Sequence, residues 1–138
     1  MRYILLVLAA LGIAASSLAL REHYRTDLSP CSINAHWDCG IVNHSPFALL
    51  WGVPVADIGI VGYALLGALA IRRSYRLMLV ASLAALAFSL HLAYIESQIL
   101  GVWCVYCVIS LGVISLMTLL VLATVIAQWR RGPEATTR

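Results

Sequence analysis

Residues 102–127 read VWCVYCVISLGVISLMTLLVLATVIA, a run without a charged side chain that opens with two cysteines three positions apart. At about 1.5 Å per residue, a helix of this length crosses a hydrocarbon core of roughly 30 Å. The run therefore predicts a transmembrane helix that carries a C-x-x-C motif, Cys104 and Cys107, at one end.

Three further apolar runs precede it, at residues 3–20, 52–71 and 77–95. Hydrophobic residues make up 62% of the 138-residue chain and charged residues 11%, against roughly 25% charged in an average soluble domain. The sequence predicts an all-α integral membrane protein, a four-transmembrane-helix bundle that forms one domain over residues 1–138. A long outer loop, at about residues 21–51, would join the first two helices.

Two alternatives concern these runs. Buried helices of a soluble protein are also apolar, but they usually show an interrupted stripe and not a continuous block. The first run could instead be a cleaved signal, because Arg2 precedes it and Ser17-Leu18-Ala19 resembles a processing site.

Arginine alone sets the orientation, because the chain has no lysine. Seven of the nine arginines flank one side of the predicted bundle and two flank the other: Arg2, Arg72, Arg73, Arg76, Arg130, Arg131 and Arg138 against Arg21 and Arg25. The positive-inside rule then predicts both termini in the cytoplasm of a multi-pass protein of the cell inner (plasma) membrane. The net charge of +3 is therefore an orientation signal. The sequence predicts contact with membrane lipid and no nucleic-acid partner.

All four cysteines fall on the extracytoplasmic side in this topology: Cys31, Cys39, Cys104 and Cys107. Thiols in an oxidising compartment form disulfides. A C-x-x-C in the first turn of a helix places both sulfurs on one face, and the helix dipole there favours thiolate. Since a disulfide that closes so short a loop adds little stability, the motif indicates redox chemistry, with a metal site or an inert staple as alternatives.

The two sulfurs of the motif differ in predicted depth. Cys107 lies about 4.5 Å further along the helix axis than Cys104, towards the lipid. A lipid-soluble oxidant would therefore meet Cys107 and a water-side thiol would meet Cys104. The loop pair, Cys31 and Cys39, would by itself suggest a structural disulfide, but beside a C-x-x-C it suggests a shuttle that works by thiol–disulfide exchange.

Both cysteine pairs, taken with their flanking residues, resemble the vitamin K epoxide reductase family, in the form of a bacterial single-domain homologue that lacks the fused thioredoxin-like domain. The matching stretches are CSIN at 31–34, DCGIVNHS at 38–45, GVP at 52–54, GIVGY at 59–63 and WCVYC at 103–107. Together they span most of the chain.

The resemblance implies a bundle around a quinone of the menaquinone, ubiquinone or vitamin K type. It implies that Cys107 reacts with the quinone, that Cys104 is its disulfide partner, that Cys39 attacks Cys104, and that Cys31 exchanges with a periplasmic thioredoxin-fold protein of the DsbA type. Electrons would flow from that partner to the quinone and support disulfide formation. The alternatives are reduction of vitamin K epoxide or quinone as the useful product, and a non-enzymatic protein that binds metal at its outer face.

Two further residues enter as predicted quinone contacts. Ser45 matches the family's hydroxyl beside the quinone, although Ser45-Pro46 equally fits a helix N-cap. The family's asparagine, four residues before the glycine matched by Gly59, is Val55 in this chain. Asp57 is then either an interfacial charge or, when protonated, a substitute donor.

The third run ends with two more ionisable residues, His91 and Glu96. Ionisable groups in or near an apolar span are functional candidates by default. Both are also placed where simple solvation at the outer interface would account for them.

Overall fold

A computed structural model describes residues 2–24, 37, 46 and 49–131 of the chain. The described part is helical, with one short hairpin, and its elements follow in this order: helix α1 (Arg2–Tyr24), strands β1 (Leu49–Leu50) and β2 (Val53–Pro54), and helices α2 (Val55–Ile71), α3 (Tyr75–Tyr94) and α4 (Val105–Arg131). A π-helix, Ile95–Leu100, continues α3.

Three of these helical segments are long and apolar enough to cross a membrane: Arg2–Tyr24, Tyr75–Leu100 and Val105–Arg131. At most 39% of the most apolar window of any of them is buried inside the bundle, so most of their apolar side chains face outwards. Large exposed side chains such as Val7, Val80 and Leu119 belong against lipid. The fourth helix, α2, is apolar but has 17 residues and is shorter than the other three.

Two predicted helix boundaries at the end of the bundle that carries Cys104 differ from the structure. Helix α1 continues past Leu20 to Tyr24, which shortens the predicted outer loop. The predicted outer segment 96–101 is mostly π-helix, and Gly101 ends it in the left-handed conformation with φ of 70°.

The predicted start of the second helix is also shifted, from residue 52 to Val55. Trp51 and Gly52 both have positive φ, 54° and 82°, as a two-residue hairpin turn of type I′ requires. They connect the antiparallel strands β1 and β2. Pro54, with φ of −57° and ψ of 134°, is extended, so the helix begins only after it.

The core lies at the end of the bundle where residues 72–74 link α2 to α3, which we call the link end. Helix α1 packs against α2 and α4, and α4 packs against α3, whereas α2 and α3 share fewer contacts. The side chains at the centre of this core have 1% of their surface exposed or less: Leu5, Leu66, Met78, Ile114, Met117 and Val121. Because lipid is as apolar as these side chains, close packing and not removal from water holds the helices together.

Small residues allow α1 to approach α2 closely. Gly12 faces the ring of Tyr63, and a Cβ at Gly12 would overlap that ring. A Cβ at Gly59 would lie 2.7 Å from the hydroxyl oxygen of Ser16. The end of the bundle opposite the link end carries Cys104 and Cys107, and we call it the cysteine end. Both contacts lie between these two ends.

Candidate active site

A cavity of about 280 Å³ occupies the cysteine end and is lined by all four helices and the π-helix. Its walls are mainly apolar, with a few polar side chains among them: Ser16, Tyr63, Ser89, Glu96, Cys107 and Ser110. Ligand pockets of roughly 300–1,000 Å³ are typically apolar with a few placed polar groups. The cavity resembles the smallest of these.

The C-x-x-C motif forms one wall of this cavity. Cys104 immediately precedes α4 and its carbonyl accepts the N–H of Val108 at 3.0 Å, while Cys107 lies within the first turn. The two thiols lie beside each other. Cys107 lines the cavity and is half-buried, whereas Cys104 has no exposed surface. A thiol from bulk water therefore cannot touch Cys104 unless the covering residues move.

Glu96 lies beside both cysteines. It is 4% exposed, its Oε2 accepts the backbone N–H of Cys104 at 3.2 Å, and its carboxylate lies beside the Cys107 thiol. It also lines the cavity. His91, the other ionisable residue predicted as a functional candidate at the end of the third run, is exposed. In the sequence, the two differ in their distance from the motif, because Glu96 is only eight positions before Cys104.

Tyr63 and Ser110 form the polar group nearest the link end of the cavity. The Tyr63 hydroxyl donates to the Ser110 carbonyl oxygen at 2.8 Å, and it lies 2.8 Å from the Ser110 hydroxyl. Ser110 follows Cys107 by three positions and so lies on the same face of α4. Sequence reasoning missed this pair, because a tyrosine and a serine 47 positions apart give no local pattern.

Of the three positions considered for quinone contacts, one lines the cavity, one does not, and one lies outside the described residues. Val55 lines the cavity, so the position of the family's asparagine is at the cavity wall but presents an apolar side chain. Asp57 is partly buried in the first turn of α2, and it is not among the described residues that line the cavity. Ser45 lies outside the described residues. The assignments of Ser45 and Asp57 therefore stay predictions.

Trp37, in the segment that joins α1 to β1, lies next to the motif. A parallel β-bridge joins Trp37 to Trp103, and Trp103 directly precedes Cys104. Cys31 and Cys39 themselves lie outside the described residues, and their roles stay predictions.

Within residues 2–24, 37, 46 and 49–131, no group of three or more histidine, cysteine or acidic side chains is placed to hold an ion. A site made of all four cysteines would need Cys31 and Cys39, to which this finding does not apply.

A helical bundle that surrounds a buried dithiol, a carboxylate and an apolar cavity has the features of a membrane redox protein. The chain matches the sequence model of the vitamin K epoxide reductase family over residues 3–124, and it belongs to that family. No individual curated protein matches it. Family membership makes the chain a membrane oxidoreductase from a family that is generally linked to quinones.

Proposed function

We propose that this protein is a quinone-dependent thiol oxidoreductase. It takes electrons from a thioredoxin-fold protein outside the cytoplasm through Cys31 and Cys39, passes them to Cys104 and Cys107, and delivers them to a membrane quinone. The product useful to the cell is an oxidised partner that can form disulfides in other proteins.

The position of Cys107 carries this proposal. Its sulfur lies beside that of Cys104, and the same residue lines an apolar cavity inside a bundle of membrane-spanning helices. A thiol pair beside an apolar cavity is suited to a hydrophobic electron acceptor.

The cavity fits the head group of a quinone in size and chemistry. The lining residues that carry hydroxyl groups and could hold its oxygens are Ser16, Tyr63, Ser89, Tyr106 and Ser110. When bound, a quinone supplies an acceptor for two electrons and two protons. Cys107 would be held against it by α4, and the apolar walls would exclude water.

The bridge between Trp37 and Trp103 supports the shuttle. Bridged strands lie about 4.8 Å apart, and two residues of chain reach at most about 7 Å. Because Cys39 follows Trp37 by two residues, this bridge supports the proposal that Cys39 exchanges with the C-x-x-C pair. Because Cys104 has no exposed surface, a thiol of the same chain has an advantage over one that diffuses from water.

The positions of the exposed arginines support a topology of four membrane spans with both termini in the cytoplasm. Arg72, Arg73 and Arg76 are exposed at the link end, opposite the cysteines, and Arg130 and Arg131 close α4 at the same end. The 17 residues of α2 extend about 25 Å, which is short for a bilayer but within the mismatch that lipids tolerate at modest cost.

The test uses the purified full-length protein in proteoliposomes with a ubiquinone or menaquinone analogue and a reduced thioredoxin-fold protein. We expect one quinone to be reduced for each partner dithiol oxidised. Cys31→Ser should block reduction by the protein donor, while a small dithiol still reduces the quinone at least in part. Equal losses with both donors would contradict the shuttle.

The family's name points to a second activity at the same site, reduction of vitamin K epoxide. Supplying the epoxide in place of the quinone separates the two. Epoxide consumption in proportion to donor oxidation would make the epoxide the substrate, whereas catalytic turnover of a small amount of quinone supports the proposed function.

A further inference from the structure

Glu96 contributes the only carboxylate among the described residues that line the cavity. One of its oxygens accepts the backbone N–H of Cys104 at 3.2 Å, and the carboxylate lies beside the Cys107 thiol, which lines the same cavity. It thus contacts both halves of the dithiol and the space beside it.

The backbone that carries Glu96 is unusual. The residue lies in the first turn of the π-helix Ile95–Leu100, and single π turns within longer helices are often found at functional sites. Burying a carboxylate among apolar side chains costs free energy unless hydrogen bonds compensate. If its purpose were only to accept the Cys104 N–H, a neutral glutamine would do so at lower cost.

We infer that Glu96 is the proton acceptor for the Cys107 thiol, a role that, within turnover, rests on the proposed function. In this step the S–H bond of Cys107 breaks, an O–H bond forms on Glu96, and the negative charge moves from the carboxylate to the sulfur. No electron changes place. Because the charge moves within the pair, the low-dielectric site gains no additional charge, whereas loss of the proton to bulk water would add one.

The rest of the redox step balances around this transfer. Oxidation of the pair breaks the S–H bonds of Cys104 and Cys107, forms one S–S bond and releases two electrons and two protons to the acceptor. Glu96 passes the first proton to the acceptor and becomes a carboxylate again. It then accepts the second proton from Cys104 and passes that one to the acceptor as well. It ends each cycle as it began it.

The first test needs no quinone. The rate at which iodoacetamide alkylates Cys107, located by peptide mass spectrometry, is followed against pH in reduced protein. A thiol and a carboxyl that share one proton titrate as a pair, so the wild-type rate should be flat between the two titration steps. In Glu96→Gln the thiolate can form only by loss of a proton to water, and the rate should rise about tenfold per pH unit.

The second test is turnover. Glu96→Gln retains an oxygen that can accept the Cys104 N–H, so the motif stays in position while the base is lost. We expect quinone reduction to fall about 10²- to 10⁴-fold, the usual contribution of general acid–base catalysis, with little change in KM for quinone. Glu96→Asp, which keeps a carboxyl group, should retain the flat alkylation profile and restore part of the rate.

Two control variants separate this role from a general effect. Gln98→Ala changes an exposed residue of the same π-helix, and Glu22→Gln removes another buried carboxyl, which is 2% exposed and not among the described cavity residues. Both should keep the wild-type profile and rate. Thermal unfolding of every variant checks that the bundle is intact.

The outcomes distinguish this inference from the proposed function. If wild-type protein reduces quinone and folded Glu96→Gln does so equally fast, or if Glu96→Gln keeps the flat profile, Glu96 is not the acceptor and the proposed function stands. If the wild-type protein reduces no quinone but Glu96→Gln still abolishes the flat profile, the inference about Glu96 holds and the proposed function fails. Should Glu96→Gln fail to fold, a rising profile in Glu96→Asp overturns the inference.

Discussion

The two ends of this bundle are packed in opposite ways although the same helices build both. At the link end, side chains such as Leu66, Met78 and Met117 fill the interior and have 1% of their surface exposed or less. At the cysteine end, the helices enclose a cavity of about 280 Å³, and the buried groups include Glu96 and Cys104. Packing at one end fixes the helices, so the other end can hold polar groups and space. Stability and chemistry are thereby separated along the bundle axis.

The largest expected effect is loss of activity at the cysteine end. Cys107→Ser removes the sulfur that faces the cavity and leaves a side chain of nearly the same volume. Quinone reduction should fall to the uncatalysed background, while the midpoint of thermal unfolding changes little. Substantial turnover by this variant would show that electrons leave the protein elsewhere.

At the link end the same comparison predicts the reverse. Met117→Ala empties part of a fully buried site and should lower the free energy of unfolding by about 2 kcal/mol or more. Turnover per folded molecule should remain near that of the wild type. Leu119→Ala is the matched control, because Leu119 is 64% exposed on the same helix and should have little effect on unfolding. An equal loss in both variants would mean that packing at the link end does not hold the bundle together.

A smaller effect is expected where the two ends meet. Gly12→Ala places a methyl group against the Tyr63 ring, and such overpacking typically costs about 1–3 kcal/mol. Displacing Tyr63 should also raise KM for quinone, because Tyr63 lines the cavity. Tyr63→Leu should restore stability in the Gly12→Ala background. Gly112→Ala, where an added Cβ meets no atom within 4 Å, is the control and should be neutral or slightly stabilising.

The smallest effect concerns the missing family asparagine. Val55→Asn adds a donor at the cavity wall, and a hydrogen bond of about 0.5–1.5 kcal/mol corresponds to a fall in KM for quinone of up to about tenfold. Asp57→Ala tests the alternative donor, because it removes the side-chain hydrogen-bond donor at this position. A rise in KM for quinone in that variant would support the sequence-based assignment of Asp57, and an unchanged KM would contradict it.

Much of the fold could be predicted because it depends on local patterns. Long apolar runs indicated the helices, and the spacing of Cys104 and Cys107 predicted a motif at the start of the last helix, where the structure has it. The greater depth of Cys107 stays a prediction. The start of α2 could not be placed, because the turn at Trp51-Gly52 gives a tryptophan positive φ, a conformation that residues without a favourable side chain rarely adopt.

The site was less predictable, because its contacts are non-local. Glu96 is recognisable in sequence as an ionisable residue near an apolar run, but its position beside both cysteines depends on the π-helix, which has no sequence signature. The Tyr63–Ser110 bond depends on how α2 packs against α4. Composition predicts that such helices form, and only their packing shows which polar side chains meet.

The most direct test of the account is a single turnover of the isolated pair. The double variant Cys31→Ser, Cys39→Ser is reduced, freed of reductant and mixed with a short-chain quinone, and the quinol and the protein disulfide are both counted. The account predicts one Cys104–Cys107 disulfide for each quinol formed. A quinone that remains oxidised, or quinol that appears while both thiols persist, would contradict it.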